Sequence, residues 1–260
     1  MRQWITRGVA ALLAGLLVTV PAAMAAETSP QTAQRSVPTA KMAAEIAVNT
    51  VTVSAEEKWE LLLVNPWNPL PEDFQVELIS LKNGMQVDKR IHEDLNAMLT
   101  DCWAAGLKPM ICSAYRTQAT QTRLHNNKIA RLRATGYSKE AAVKEASRWV
   151  AVPGNSEHQT GLALDLVSMD YRLLNEKQEE TPEQKWLMEH CWEYGFILRY
   201  PGDKAEITGI GYEPWHYRYV GKEAASAIHA SGQCLEEYLQ TASAAEEGAA
   251  TTLSASKETA

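Results

Sequence analysis

Beyond its first 26 residues, this 260-residue sequence holds no apolar run approaching the ~20 residues of a membrane-crossing helix, so no internal span is expected. Positive charge is scarce: 25 Lys and Arg stand against 32 Asp and Glu, which argues against a nucleic acid or a polybasic membrane contact. Cysteine is limited to four residues, none in a CxxC pair, and this disfavours a zinc knuckle or a thioredoxin-like centre. A Gly-rich phosphate loop and a GxSxG nucleophile motif are both missing. With 14 Gly and 11 Pro the chain is not collagen-like, and 45% hydrophobic with 22% charged residues is the composition of a globular protein with a substantial core.

The first 26 residues read as an export leader, with Arg2 and Arg7 ahead of a 13-residue apolar stretch from Gly8 to Val20 and an A-x-A site at Ala23-Met24-Ala25. Thirteen apolar residues are too few to span a bilayer, so cleavage is expected; a retained leader would tether the chain to the membrane. The mature part then holds 23 Lys and Arg against 32 Asp and Glu, a balance of −9. Export implies an extracellular or cell-envelope location, where disulfides form. At least one is expected among Cys102, Cys112, Cys191 and Cys234, and closeness in the chain favours 102 with 112 and 191 with 234. Against this, Cys102 continues the stripe Ile91, Leu95, Met98, and Cys191 follows Leu187, at the spacing of buried helical positions.

Residues 27–57 have the Ala, Ser, Thr and Gln content of a stalk, and residues 241–260 form a low-complexity tail with one Leu and no aromatic. One domain is left, 58–240, in which strands and helices alternate irregularly, as in an α+β fold. Helices are expected from Asp88 to Gly106, Thr117 to Gly136, Ser138 to Val150, Thr181 to Gly195, and Lys222 to Gln240 with a break at Gly232. Strands are expected at 60–64, 75–81, 109–114, 161–167 and 214–220.

Three segments stand out for chemistry rather than packing: SAYRTQATQ at 113–121, SEHQTGLALDL at 156–166 and EPWHYRY at 213–219. Six residues including Gly161 separate His158 from Asp165, which fits a turn leading into the strand that presents Asp165. Leu162, Leu164 and Leu166 share the opposite face of that strand, and a carboxylate in so apolar a run needs a cationic partner. His216 offers a third ligand. Two imidazoles, one carboxylate and an open fourth position form a catalytic zinc set, whereas structural zinc is more often closed by four Cys or His. Glu213, three residues before His216, is placed to act as general base without ligating the metal. Trp215 is expected to form a wall of the site. The remaining histidines, His92, His125, His190 and His229, lack a ligand motif and are expected to be structural or exposed, and the acidic clusters 176–180 and 236–237 to be solvated.

These segments resemble the VanY-like D-alanyl-D-alanine carboxypeptidases of the LAS metallopeptidase group, which share SxHxxGxAxD followed by ExxH. Here SEHQTGLALD and EPWH match that pattern, with 47 residues between Asp165 and Glu213, and the likeness extends over most of 58–240, including VNPWNPLPEDF and SAYR. The resemblance implies a small antiparallel sheet carrying a Zn2+ site flanked by helices, the Hedgehog/D,D-peptidase-like architecture. It also implies that His158, Asp165 and His216 ligate zinc, that Glu213 is the catalytic base, and that Arg116 holds the substrate, through its terminal carboxylate or the oxyanion. Ser156 and Gln121 match positions lining the substrate pocket. The implied partners are peptidoglycan stem peptides ending in D-Ala, acted on by a monomer without a stable protein partner. An L,D-carboxypeptidase, a peptidoglycan endopeptidase and, from another class, a non-catalytic zinc-containing wall-binding module are the competing readings. The presence of Glu213 speaks against the last.

Overall fold

The run Ala163–Ser168 is buried at every position, so both faces of this strand are covered and it forms the centre of the fold. The computed structural model describes residues 58–245; the expected leader and stalk, and residues 246–260, lie outside the described residues.

In chain order the elements are β1 (Leu78–Ser80), β2 (Gln86–Asp88), α1 (His92–Ala104), β3 (Pro109–Ser113), α2 (Gln118–Ala134), α3 (Lys139–Ser147) and β4 (Ala163–Ser168). They continue as α4 (Pro182–His190), β5 (Phe196–Leu198), α5 (Ala205–Thr208), β6 (His216–Tyr219) and α6 (Lys222–Ser231). β1 and β2 form a hairpin, and the other four strands make one antiparallel sheet in the order β3-β4-β6-β5. This is the expected α+β class with an antiparallel sheet.

Alternation along the strands sorts side chains between two environments. Leu164 and Leu166 of β4 and Tyr217 and Tyr219 of β6 join Leu162, Leu187, Phe196 and the α1 stripe Ile91, Leu95, Met98 in the main apolar cluster. On the other face Asp165 pairs across the sheet with His216 and, on its other side, with Ser113, so three polar side chains stand in a row across three strands. A bulge between Ile111 and Ser113 brings Ser113 into that row. A smaller cluster of Leu61, Ile197, Val220, Ile228, Leu235 and Leu239 packs α6 and the last helical stretch onto the edge at β5.

Caps act where expected: the side chains of Thr117, Ser138 and Thr181 accept from the backbone N–H three residues on, and Pro182 occupies the first turn of α4. Asp88 caps a 3-10 turn, Lys89–Ile91, that leads into α1. Gly161 has φ 78°, and a Cβ there would stand 2.8 Å from the backbone nitrogen of Asp88, so the turn between His158 and Asp165 requires glycine twice over.

Four expectations need correction. Residues 60–64 are not a strand but begin with a 3-10 turn, Trp59–Leu61, because the carbonyls of Glu60 and Leu62 accept from Arg218 Nη2 instead of a neighbouring strand. The short strands β2 and β5 were not anticipated. The helix after Gly232 spans 235–245 and so runs past Gln240, where the tail was expected to begin. All four cysteines are free thiols: Cys102 sits in the core stripe, Cys112 directs its Sγ to the Asp165 carbonyl, and burial pushes each of the four up to about 12. Among the described residues no helix is long and apolar enough to cross a membrane.

Candidate metal centre

Strand β4 brings Asp165, strand β6 brings His216, and the 3-10 turn Glu157–Thr160 brings His158 to one buried point. One ligand atom from each lies within 4.8 Å of the others. His158 Nε2 is 3.4 Å and His216 Nδ1 is 3.2 Å from Asp165 Oδ1. Zinc bonds of about 2.0–2.1 Å at the tetrahedral angle separate ligand atoms by about 3.3 Å, so these spacings fit the ion.

The outer nitrogens of both rings are occupied in a way that leaves the inner ones free to ligate. His158 Nδ1 lies 2.8 Å from the Ala114 carbonyl, which can only accept, so Nδ1 carries the proton and Nε2 the lone pair. His216 Nε2 lies 3.4 Å from Glu157 Oε2, leaving Nδ1 toward Asp165. Burial and the nearby Arg116 push His158 down to about 4, keeping it neutral. Burial also works against charge on His216, but hydrogen bonds to Asp165 and Glu157 outweigh it and raise the ring to about 9. That negative potential favours a divalent cation for the same reason that it favours a proton.

Arg116 is anchored to the cluster by two of its five N–H groups. Its Nη2 donates to Asp165 Oδ2 at 2.7 Å and its Nε to Ser113 Oγ at 2.9 Å, while Nη1 has a long 3.4 Å contact with Gln121 Oε1. Gln121 is fully buried and donates to the Ala151 carbonyl at 2.7 Å, so it stands behind Arg116. Glu213 enters on the turn before β6, with Oε2 3.7 Å from His216 Nδ1, and burial pushes its carboxyl up to about 8.

A cavity of about 690 Å³ opens onto this cluster and is also lined by Arg116, Ser156, Glu213 and Trp215; Gln121 is not among its lining residues. Ser156 is 4% exposed and lines the cavity, and its hydroxyl makes no hydrogen bond within the described residues. Of the other histidines, His125 is buried and bonded to the Val150 carbonyl, His92 meets Asn96, His190 meets Glu193, and His229 stacks on Trp192.

Behind the cluster lies a buried ionic network that the sequence reading missed. Glu157 Oε1 accepts from Arg199 Nε at 2.7 Å and Arg218 Nη1 at 2.9 Å, and Arg199 holds Glu236 through two bonds of 2.7 and 2.8 Å. Asn65 donates to the same Glu236 at 3.0 Å. Burial alone would raise the Glu157 carboxyl, but the two guanidiniums hold it well below the usual range and therefore ionised. The expectation that 236–237 is a solvated pair fails at Glu236, which is 3% exposed and neutralised by Arg199. Arg218 was findable, since alternation along HYRY puts it on the face of His216; Glu236 had no such signal.

A family model described as VanY, D-alanyl-D-alanine carboxypeptidase, matches residues 84–222. Over 186 residues the chain is 46% identical to a D-alanyl-D-alanine carboxypeptidase of Enterococcus faecalis, covering 72% of this chain and 68% of the relative. A solved structure of VanYB in complex with D-alanine-D-alanine superposes with a TM-score of 0.66 at 46% identity, covering 71% of this chain and 99% of the other. A VanY variant from the VanB-type resistance cassette in complex with Zn(II) gives 0.65 at 45% identity, with 70% and 99% covered. Likeness of this depth runs through the sheet and both segments that build the His-Asp-His cluster, and the chain belongs to the VanY D-alanyl-D-alanine carboxypeptidase family.

Proposed function

We infer that this chain is a zinc-dependent D,D-carboxypeptidase that removes the C-terminal D-alanine from peptidoglycan stem peptides. The observation that carries this reading is the convergence of His158 Nε2, Asp165 Oδ1 and His216 Nδ1 at zinc-ligand spacing, beside a buried Glu213, in a cavity large enough for a peptide end. Zinc held by these atoms supplies a Lewis acid for the scissile carbonyl and lowers the pKa of water.

Glu213 takes the proton of the attacking water as its oxygen bonds to the carbonyl carbon, and returns it to the D-alanine nitrogen as the C–N bond breaks. A carboxyl near neutrality suits a group that must both accept and release a proton. Beyond its bonds to Ser113 and Asp165, Arg116 keeps three N–H groups, two on Nη1 and one on Nη2, and it lines the cavity. These donors suit both the scissile carbonyl oxygen, where charge develops, and the terminal carboxylate. The unpartnered Ser156 hydroxyl is the donor for that carboxylate, Trp215 walls the site, and Gln121 orients Arg116 from behind rather than touching substrate. The basic leader supports export, and a single chain supplying every site residue supports a monomer.

Mass-spectrometric identification of products tests the reading. The zinc-loaded protein should release one D-alanine from a stem pentapeptide and leave both the tetrapeptide and a C-terminally amidated pentapeptide nearly intact. Cleavage of the tetrapeptide would make it an L,D-enzyme, and equal cleavage of the amide an endopeptidase.

A further inference from the structure

Helix α2 is anomalous in an acidic chain: it carries Arg123, Lys128, Arg131 and Arg133 and no carboxylate, while the sequence as a whole has a net charge of −7. Two of these cations, Lys128 and Arg131, line the same cavity as the metal cluster, together with Leu124 on the same helical face. The helix and Lys128 are held in place. Gln121 clips α2 to the Ala151 carbonyl, His125 to the Val150 carbonyl at 2.8 Å, and Lys128 Nζ lies 5.6 Å from the centroid of the Trp149 ring. Trp149 is itself held, its Nε1 donating to Glu145 at 2.8 Å, with its ring so close to Gly211 that a Cβ there would approach it to 2.8 Å.

Among the described residues neither Lys128 nor Arg131 is in an ion pair. The lining segment 174–177 adds one more cation, Lys177, and one carboxylate, Glu176, so the lining from α2 and this segment together is net positive. Lys128 is partly buried and Arg131 exposed, which puts them between the buried cluster and the solvent.

We propose that Lys128 and Arg131 form an anion subsite that binds a carboxylate carried by the substrate about three residues before its terminal D-alanine. The proposal rests on the carboxypeptidase reading. The reach follows from two rises: Lys128 is seven positions beyond Gln121, which touches Arg116, and at about 1.5 Å per residue this is roughly 10 Å along the helix. An extended peptide covers about 3.4 Å per residue, so roughly three residues span that distance. In a stem peptide this is the place of the γ-linked glutamate, whose α-carboxylate stays free unless it is amidated. The subsite therefore distinguishes acid from amidated stems.

The test compares two stem pentapeptides that differ only in a free or amidated α-carboxylate on that glutamate, hydrolysed by the zinc-loaded full chain. KM should be about fivefold lower for the acid, as expected of two partly exposed charge pairs, with kcat equal for both. The preference should shrink in 0.5 M salt. An acyl-D-Ala-D-Ala too short to reach α2 should share the KM of the amidated peptide. In the Lys128→Gln/Arg131→Gln protein the two pentapeptides should become equivalent. Equal KM values in the native protein, or a preference that survives the double substitution, would overturn the subsite. If no peptide were hydrolysed, the carboxypeptidase reading would fall instead, and calorimetric affinities of the acid and amide peptides for zinc-loaded Glu213→Ala protein would still decide the subsite.

Discussion

Two groups of charged and titratable side chains meet at Glu157, one facing the cavity and one behind it. The rear group sets Glu157 and Glu236 against Arg199 and Arg218, and none of its side-chain atoms is left buried without a hydrogen bond. In the front group Arg116 pairs with Asp165, Glu213 has no Arg or Lys within ion-pair distance among the described residues, and two imidazole nitrogens turn inward. Residue types and burial are much the same in both. What separates them is balance: the rear neutralises itself and is fit for holding the fold, whereas the front leaves convergent acceptors short of positive charge and is fit for a cation.

Substituting on each side should break this contrast in opposite ways. Asp165→Ala should abolish zinc binding and turnover, while unfolding in the presence of chelator changes modestly, because the Arg116 it leaves unpaired can reach the cavity; zinc analysis and thermal melts check this. Arg199→Met should do the reverse, costing about 3–5 kcal/mol of stability, since it strands Glu236 in the interior and leaves Glu157 with Arg218 alone. Its denaturant midpoint should fall, yet the protein still folded at low temperature should bind zinc. The smallest effect is a pH dependence. Burial raises the Glu236 carboxyl, but Arg199 outweighs it and the folded-state pKa lies below the ordinary value. Its stabilisation is therefore present above the unfolded pKa of about 4.3 and is lost as pH falls through the folded value. The stability gap between native protein and Glu236→Gln should be full at pH 7 and narrow below about pH 4.

The same contrast governs what could be read from the sequence. The front is built from residues close in the chain and set by local geometry: His158, Gly161 and Asp165 share one turn and strand, and Glu213 and His216 share another. Spacing alone brings such residues together. The caps at Thr117, Ser138 and Thr181 were legible for the same reason. Glu236 reaches Arg199 from 37 residues away and Asn65 reaches Glu236 from 171, contacts that no local pattern encodes. The strand expected at 60–64 failed for that reason too, its carbonyls being taken by Arg218 from 156 and 158 residues on. The cysteines misled because an oxidising location says only that disulfides can form, whereas the fold leaves all four as free thiols, Cys102, Cys191 and Cys234 buried and Cys112 half-buried against the Asp165 carbonyl.

The central claim is that three residues hold zinc while Glu213, beside them, moves the proton. Zinc content and D-alanine release measured on the same Glu213→Gln protein test it most directly. The expected result is one zinc per chain with release from the stem pentapeptide slowed by about 10²–10⁴. Release close to the native rate, or loss of the zinc itself, would contradict it.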